Sequence, residues 1–410
     1  MSVELNWQEG EETGDVRWEQ LETTVAQEPA RTIVNRTARR PVRSRRVVQF
    51  LLAVLAGMLI GGAGLAVFVA VRSNEGSELA RRDVEASVAL LLDAQRSGDI
   101  RGYAQMLDGT AEIWRSRQIA ELRQGPPAPA HASVQSVQLQ GDLAMANLLE
   151  TPADGGESTS RTAFFRLRNG QWLLTAPDPE QFGPVAELVT SHFQISYREA
   201  DKSTIQALVD LSEGFYVALC GELRCRESER PIPLVLDYAD TLPTAGDGLQ
   251  VRSSQLSGLT STNRPGPAFE QELAAEMASY LAAAGFPAAS PALRTAAATW
   301  AASDLTGITA ADTQALRAAV RRGENLSLED AWQAITVRNR GNLQERAIVV
   351  SMFGYAQEIY GAGAAGRLLD AAPAELPLAL RRSFDVSTGD FQAGWLTWMQ
   401  AGSSDADLPA

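Results

Sequence analysis

The chain has 410 residues, of which 45% are hydrophobic and 21% are charged, and this length suffices for two or three globular domains. The formal net charge of −14 at pH 7 argues against a nucleic-acid partner, because binding a polyanion requires a basic surface.

The two ends of the chain are predicted to be disordered. Residues 1–46 begin acidic and end rich in arginine, without sustained apolar periodicity. Such a segment cannot bury enough apolar surface to fold. We therefore predict a disordered tail over 1–46, and a second one over 403–410.

An apolar run over 50–71 reads FLLAVLAGMLIGGAGLAVFVAV and contains no charged or amide side chain. As a helix it would span roughly 33 Å, which is enough to cross the hydrocarbon core of a bilayer. The run is too long for the apolar part of a signal peptide, and no A-x-A cleavage site closes it. We predict a retained transmembrane helix over 47–72.

The charges that flank this run predict its orientation. Only Arg72 follows it closely, whereas five arginines precede it: Arg39, Arg40, Arg43, Arg45 and Arg46. Because positive charge favours the cytoplasmic side, we predict a single-pass protein of the cell membrane. Its N-terminus would be cytoplasmic, and the domains after about residue 73 would be extracytoplasmic.

Small residues are spaced four apart within the apolar run, at Ala53, Gly57 and Gly61. This spacing lets two membrane helices approach closely. A homodimer formed through this face is therefore one predicted partner, beside the lipid bilayer itself.

The first exported domain, predicted over 80–182, combines helical and strand patterns. Apolar spacing predicts helices at 81–99 and 111–124, and four strand-like runs follow at 132–140, 142–150, 162–168 and 171–176. The pairs Gly141-Asp142 and Asn169-Gly170 predict tight turns between strands, since a type I′ turn needs positive φ at both central positions.

This succession, with LLDAQRSGDIRGYAQMLD early and FFRLRNGQWLLTAP late, resembles the cone-shaped α+β fold of nuclear-transport-factor-like and ketosteroid-isomerase-like domains. The resemblance implies helices packed on a curved antiparallel sheet around a pocket. No acid or tyrosine stands out as a general base, so we expect a spacer or a binding module here.

The second exported domain is predicted over 188–402. Strand patterns occur at 192–201, 230–240 and 249–259, a helical pattern at 203–220, and the chain from Pro267 onwards is almost wholly helical and rich in alanine. The two cysteines, Cys220 and Cys225, lack nearby histidines and would make a poor zinc site. Outside the cell a disulfide between them is favoured over two free thiols.

A family resemblance covers this second domain. The succession FEQELAAEMASYL, GFP, LRTAAATW, IVVSMFGYAQEIYGAGAAGRLLDA and DFQAGWLTWM, after strand, helix and strand, resembles the peptidase-MA-like gluzincin metallopeptidases. In that family one helix carries H-E-x-x-H, whose two histidines bind zinc while the glutamate activates the metal-bound water. The next helix supplies a glutamate as third ligand.

Matched residue by residue, the resemblance places the first histidine at Ala275, the catalytic glutamate at Glu276 and the second histidine at Ser279. The third ligand falls on Thr295, or on Ala296 if the alignment slips by one. Only the glutamate is retained, and neither an alanine methyl nor a serine hydroxyl can replace an imidazole as a zinc ligand. The resemblance therefore implies a fold without its metal.

Other donors do not restore the site in the sequence. His131 and His192 are the only histidines, and each is expected to be a surface or packing residue. Glu270, Glu272 and Glu276 on one helix are interpreted as a solvated acidic face. No nucleophile elbow or phosphate-binding loop is present, and GAGAAG at 361–366 is interpreted as a loop.

The sequence thus predicts an α+β multidomain protein without a cofactor: a membrane helix, a cone-shaped domain and a catalytically inactive peptidase-like domain. We expect it to bind a peptide or an envelope protein. An active hydrolase with an unrecognised metal site, and an architectural protein oligomerising through its membrane helix, remain alternatives.

Overall fold

A computed structural model describes residues 78–124, 128–153, 155–225, 230–239, 248–307, 311–324, 326–372 and 374–401. The predicted tails 1–46 and 403–410, and the predicted membrane segment 47–72 with Ala53, Gly57 and Gly61, lie outside these residues. Among the helices that are described, none combines the length and the apolar character that a membrane crossing requires. The described residues belong to one compact unit, Val69–Ala410, with an α+β fold.

The first part of this unit, which we call the first module, contains three helices followed by an antiparallel sheet. Helix α1 covers 78–97. The remaining elements are α2 (Ile100–Gln105), α3 (Glu112–Gln124), β1 (His131–Gln140), β2 (Leu143–Thr151), β3 (Thr159–Arg168) and β4 (Gln171–Thr175). The predicted helices and strands of this module are confirmed, apart from shifts at their ends.

The turns of the first sheet follow from its asparagine and glycine residues. Asn169 and Gly170 take φ of 50° and 80°, the left-handed region that a type I′ turn requires. The sheet order is β1-β2-β3-β4 with each neighbouring pair antiparallel. Its two faces alternate along each strand, so that Phe165 packs under the helices while Phe164 packs against the rest of the chain.

The second module begins with a mixed sheet. Its elements are β5 (Val185–Val189), β6 (Phe193–Arg198), α4 (Ile205–Leu223), β7 (Ile232–Asp237), β8 (Leu249–Arg252) and a short helix α5 (Ser254–Ser257). The order is β5-β6-β7-β8, with β5 antiparallel to β6 and the other neighbours parallel. The long helix α4 connects the parallel strands β6 and β7, as a parallel pair requires.

Two details of the second sheet differ from the sequence prediction. Strand β5 was not predicted, and it starts this sheet at Val185 rather than after residue 188. The run 249–259 is a strand only to Arg252, because Ser253 then caps α5 by accepting a hydrogen bond from the Gln255 backbone N–H at 3.1 Å. A serine in that position favours a helix start over a continuing strand.

The rest of the chain is helical, as predicted. The helices are α6 (Pro267–Gly285), α7 (Pro291–Thr306), α8 (Ala311–Arg321), α9 (Leu328–Thr336), α10 (Leu343–Tyr360), α11 (Ala364–Ala371), α12 (Leu376–Phe384) and α13 (Thr388–Ala401). Proline at the first position of α6 and α7 fits a helix start, since its missing N–H would have no partner there. The spacing of Leu273, Met277, Tyr280 and Leu281 predicts an apolar stripe on α6. Leu273, Met277 and Leu281 are buried, and Tyr280 is half-buried.

The two modules are joined by backbone pairing as well as by apolar contact. Ser160 on β3 and Leu259 after α5 exchange two backbone N–H to carbonyl hydrogen bonds, of 2.7 and 2.8 Å. The rings of Phe164 and Phe182 lie 5.6 Å apart between their centroids. The first sheet therefore contributes one face to a hydrophobic core that continues into the second module.

A buried carboxylate fixes the connection between the second sheet and α5. Asp201 is 1% exposed and accepts hydrogen bonds from the hydroxyls of Tyr238 (2.5 Å), Ser253 (2.6 Å) and Ser254 (2.6 Å). A buried charge is tolerated only when such donors surround it. Asp201 thus connects the end of β7, the end of β8 and the start of α5.

Replacing Asp201 should therefore destabilise the fold strongly. In Asp201→Ala, three hydroxyls lose their acceptor while remaining buried, and we expect the free energy of unfolding to fall by about 3 kcal/mol. Chemical denaturation measures this change. Asp210→Ala is the matched control, since Asp210 is exposed and pairs with Gln206 at the surface. Equal effects of the two substitutions would show that the network contributes nothing specific.

Candidate functional site

A large cavity lies where the two modules meet. Its volume is about 570 Å³, within the range typical of small-molecule sites. Helices α1 and α3 and the first sheet form most of its wall. The second module adds Arg252 from β8 and Gln271, Glu272 and Ala275 from α6. The cavity is therefore built jointly, and neither module lines it alone.

Apolar side chains of the first module line much of this junction cavity. They come from α1, α3 and the inner face of the sheet, and include Val88, Leu91, Leu92, Leu122, Leu148, Phe165 and Leu174. Several of them belong to the buried core of that module. An apolar ligand in the cavity would therefore contact apolar side chains on several sides.

Ion pairs line another part of the wall. Arg161 on β3 pairs with Glu150 on β2 at 2.8 Å between guanidinium and carboxylate. Arg252 pairs with Glu121 on α3 at 2.6 Å, and this contact crosses from one module to the other. Both modules therefore contribute charged residues to the wall of the cavity.

Arg161 keeps its charge in this setting. Burial by itself would lower the pKa of its guanidinium, but the attraction and the hydrogen bond of Glu150 outweigh that effect and raise the pKa. An arginine with a fixed charge inside a cavity is suited to a carboxylate, sulfonate or phosphate, because its N–H groups form a planar fork.

Sequence analysis did not single out Arg161 and Glu150, although the strand pattern contains the signal for both. Side chains two apart on a strand share a face. Arg161 therefore lies on the same face as the buried residues Ala163 and Phe165, and Glu150 lies on the face of Leu148. A charge at an inward position of a half-buried strand is the pattern that marks this site.

Of the four positions that the family resemblance singles out, Ala275 and Thr295 line cavities, and these two cavities differ. Ala275 lines the junction cavity, whereas Thr295 lines a different groove of about 330 Å³. The Thr295 hydroxyl donates to the Pro291 backbone carbonyl at 3.0 Å, and Ser279 is exposed. No cavity identified among the described residues is lined by both Ala275 and Thr295.

The interpretation of Glu270, Glu272 and Glu276 as a solvated face is wrong. All three are half-buried, and Glu272 accepts a hydrogen bond from the Arg252 backbone N–H at 2.8 Å. Burial, followed by the nearby charge of Glu272, raises the pKa of Glu276, while Arg117 of α3 acts in the opposite direction. Glu272 lines the junction cavity and Glu276 interacts with Arg117 of the first module, which the sequence pattern could not show.

The histidines have local structural roles or none visible. His131 is exposed and opens β1 rather than lying in the loop before it. His192 contacts the Glu213 carboxylate through Nδ1 and stacks on Tyr216 with ring centroids 4.1 Å apart.

The described residues contain no cluster of three or more histidine, cysteine, aspartate or glutamate side chains placed to hold a metal ion. Cys220 and Cys225 form a disulfide, as the sequence predicts.

Comparisons with known proteins add no identification: no family model, no curated protein and no solved structure matches this chain.

A pair of carboxyl groups lies away from the junction cavity, between α4 and α7. Burial raises the pKa of Glu222 to about 7, and the charge and hydrogen bond of the adjacent Asp304 add to the shift. A hydrogen bond between two carboxyl groups requires a proton on one of them, so Glu222 and Asp304 share one proton.

The Glu222 pair should make stability depend on pH. Because the pKa is raised from 4.5 to about 7 in the folded state, its contribution is complete below pH 4.5 and is lost as the pH rises through 7. We expect a loss of about 1–2 kcal/mol across this window, after allowance for the water that reaches the half-buried pair.

Thermal unfolding followed from pH 5 to 8 measures this dependence. Glu222→Gln keeps a donor to Asp304 and should reduce the change in unfolding temperature between pH 5 and 8. Glu329→Gln, at an exposed acid of α9, should leave that change as it is in the wild type. Parallel curves for the wild type and Glu222→Gln would contradict the assignment.

Proposed function

We propose that the chain is a membrane-anchored, extracytoplasmic binding protein whose ligand occupies the junction cavity. The observation that carries the proposal is the cavity itself, since its wall combines the apolar interior of the first module with ion pairs and with residues of α6. Half-buried charges beside an open apolar space are unusual in a core that serves only stability.

The lining favours an amphipathic ligand with an acidic group. Its apolar part would lie against Leu148 and Phe165, and its acidic group would contact the Arg161 guanidinium. Glu150 would then share Arg161 with the ligand and hold the guanidinium in place, as a positioning partner of a charged binding group does. The glutamates beside the arginines would disfavour ligands with several negative charges.

The proposal assigns no catalysis to the peptidase-like module. The resemblance to peptidase-MA-like gluzincins, and of the first module to nuclear-transport-factor-like domains, remains a proposal that rests on the sequence pattern. If it holds, the helix that bears the active-site motif in the family has here become a wall of a binding cavity. Ala275 contributes a methyl group to that wall where the family has a zinc ligand.

The membrane anchor and the partners stay proposals of the same kind. The apolar run 50–71, the preceding arginines, and the spacing of Ala53, Gly57 and Gly61 support an anchored protein that can dimerise. The disulfide between Cys220 and Cys225 is consistent with an oxidising compartment outside the cytoplasm. An envelope protein or a peptide remains the proposed macromolecular partner.

Filling the cavity from α6 tests the binding proposal. The probe is anilinonaphthalenesulfonate, an apolar ring system with one sulfonate, titrated onto residues 73–410 and followed by its fluorescence. Ala275→Trp places an indole in the cavity, and we expect binding to weaken at least about tenfold, or about 1.4 kcal/mol. Ser279→Trp, one turn further along the same exposed stripe of α6, is the matched control and should bind as the wild type does.

Two results would contradict the binding proposal. Equal binding by the wild type and Ala275→Trp would place the probe elsewhere. An Arg161→Gln variant that keeps full affinity for the sulfonate would remove the proposed acidic-group contact, even if the cavity itself were occupied.

Metal analysis tests the assignment as a non-enzyme. Because alanine, serine and threonine occupy the ligand positions, we expect the purified protein to bind zinc far below one equivalent and to show no peptidase activity. We also expect Glu276→Gln to unfold at the same or a slightly higher temperature near neutral pH, since burial disfavours the charged carboxylate. Stoichiometric zinc with peptidase activity that Glu276→Gln abolishes would establish the alternative, an active hydrolase.

A further inference from the structure

A second cavity, of about 470 Å³, lies among the helices of the second module. Helices α7, α8, α10 and α13 form its wall, and it does not share a lining residue with the junction cavity. We call it the helical cavity. Its lining includes two indoles, Trp300 and Trp398, and the polar residues Asp304, Arg317 and Gln357.

Two polar atoms of residues in this wall have no hydrogen-bond partner among the described residues. They are Nε of Arg317 on α8 and Oε1 of Gln357 on α10, and both are buried. One is a donor and the other an acceptor. Native proteins rarely leave such groups unpaired, so a ligand towards which the two side chains turn would supply the partners that they lack.

Opposite charges face the helical cavity without pairing to each other. Arg317 forms no ion pair with any described residue. Asp304 lies in the wall beside the Glu222 carboxyl. Glu358 is a second carboxylate of the wall, and it accepts a hydrogen bond from Nε1 of Trp398. An arginine and carboxylates kept apart in a single cavity complement a ligand that carries both an anionic and a cationic group.

The indoles supply the apolar side of the cavity. Gly354 on α10 lies between them: a Cβ added there would be 3.3 Å from Nε1 of Trp300 and 3.4 Å from Cη2 of Trp398. A larger residue would displace one ring, so glycine keeps both in the wall. Val350 extends this apolar surface, and indole faces also attract ammonium groups.

We propose that the helical cavity binds a free α-amino acid or a dipeptide with an apolar side chain. The ligand carboxylate would accept hydrogen bonds from Arg317, and its ammonium group would donate to Gln357 and Asp304. Its side chain would lie against Trp300 and Trp398. This site is independent of the junction cavity, so either proposal can fail without the other.

Isothermal titration calorimetry of the full chain with L-leucine and leucylleucine tests this proposal. Saturable binding by at least one of the two is expected. N-acetylleucine, which lacks the ammonium group, and leucinamide, which lacks the carboxylate, should each bind at least about tenfold more weakly. Failure of both zwitterions to bind, with ordered water as the only occupant of the cavity, would overturn the proposal.

Variants separate this site from other binding surfaces. Arg317→Gln and Gln357→Leu should each reduce the affinity for the zwitterion by roughly tenfold or more. Arg322→Gln is the matched control, since Arg322 lies just beyond α8, pairs with Glu324 at the surface and does not line the cavity. Having two variants protects the test if one fails to fold, which circular dichroism would detect. Unchanged affinity in a folded Arg317→Gln or Gln357→Leu variant would overturn the proposal.

Discussion

The contact between Arg252 and Glu121 is the constraint on which the rest of this account depends. Arg252 ends the second sheet, and its guanidinium reaches α3 of the first module at 2.6 Å while its backbone N–H is held by Glu272 of α6. One residue therefore connects β8, α3 of the first module and α6. Together with the backbone pairing of Ser160 and Leu259, the contacts of Arg252 hold α6 beside the junction cavity.

This arrangement explains why α6 can carry glutamates on a half-buried face. On a solvent-exposed helix face, the carboxylates of Glu272 and Glu276 would stay hydrated and would carry no desolvation penalty. Here the first module covers them, and Glu272 is compensated by a backbone N–H while Glu276 is opposed by Arg117 at longer range. Glu276 has no such hydrogen bond among the described residues, and its raised pKa is the consequence of burial. The energetic cost of burying these carboxylates is understandable if the cavity that Glu272 lines binds a ligand.

Much of the fold could be predicted from the sequence, because its signals are local. The Asn169-Gly170 turn, the alternation of β3 and the apolar stripe of α6 each depend on residues within a few positions of one another. Strand β5 was missed because Val185–Val189 is a short edge strand with exposed valines, which carries no strong inward pattern. The start of α5 was missed because a single serine cap decides it.

The candidate sites were harder to predict, because they depend on residues far apart in the chain. Arg252 and Glu121 are separated by 131 positions, and no local pattern shows that they meet. Arg161 could have been found, since residues two apart on β3 share a face and Arg161 therefore lies on the face of the buried residues Ala163 and Phe165. Arg317 and Gln357 could not, because an unpaired polar atom is visible only once the surrounding helices are placed.

A crystal structure of residues 73–410 with anilinonaphthalenesulfonate is the most direct measurement of the central claim, that the modules together form a ligand site. We expect the rings against Phe165 and Leu148, the sulfonate within hydrogen-bond distance of Arg161, and Ala275 in contact with the probe. A probe bound only at the outer surface, with the junction cavity collapsed or closed to it, would contradict the account.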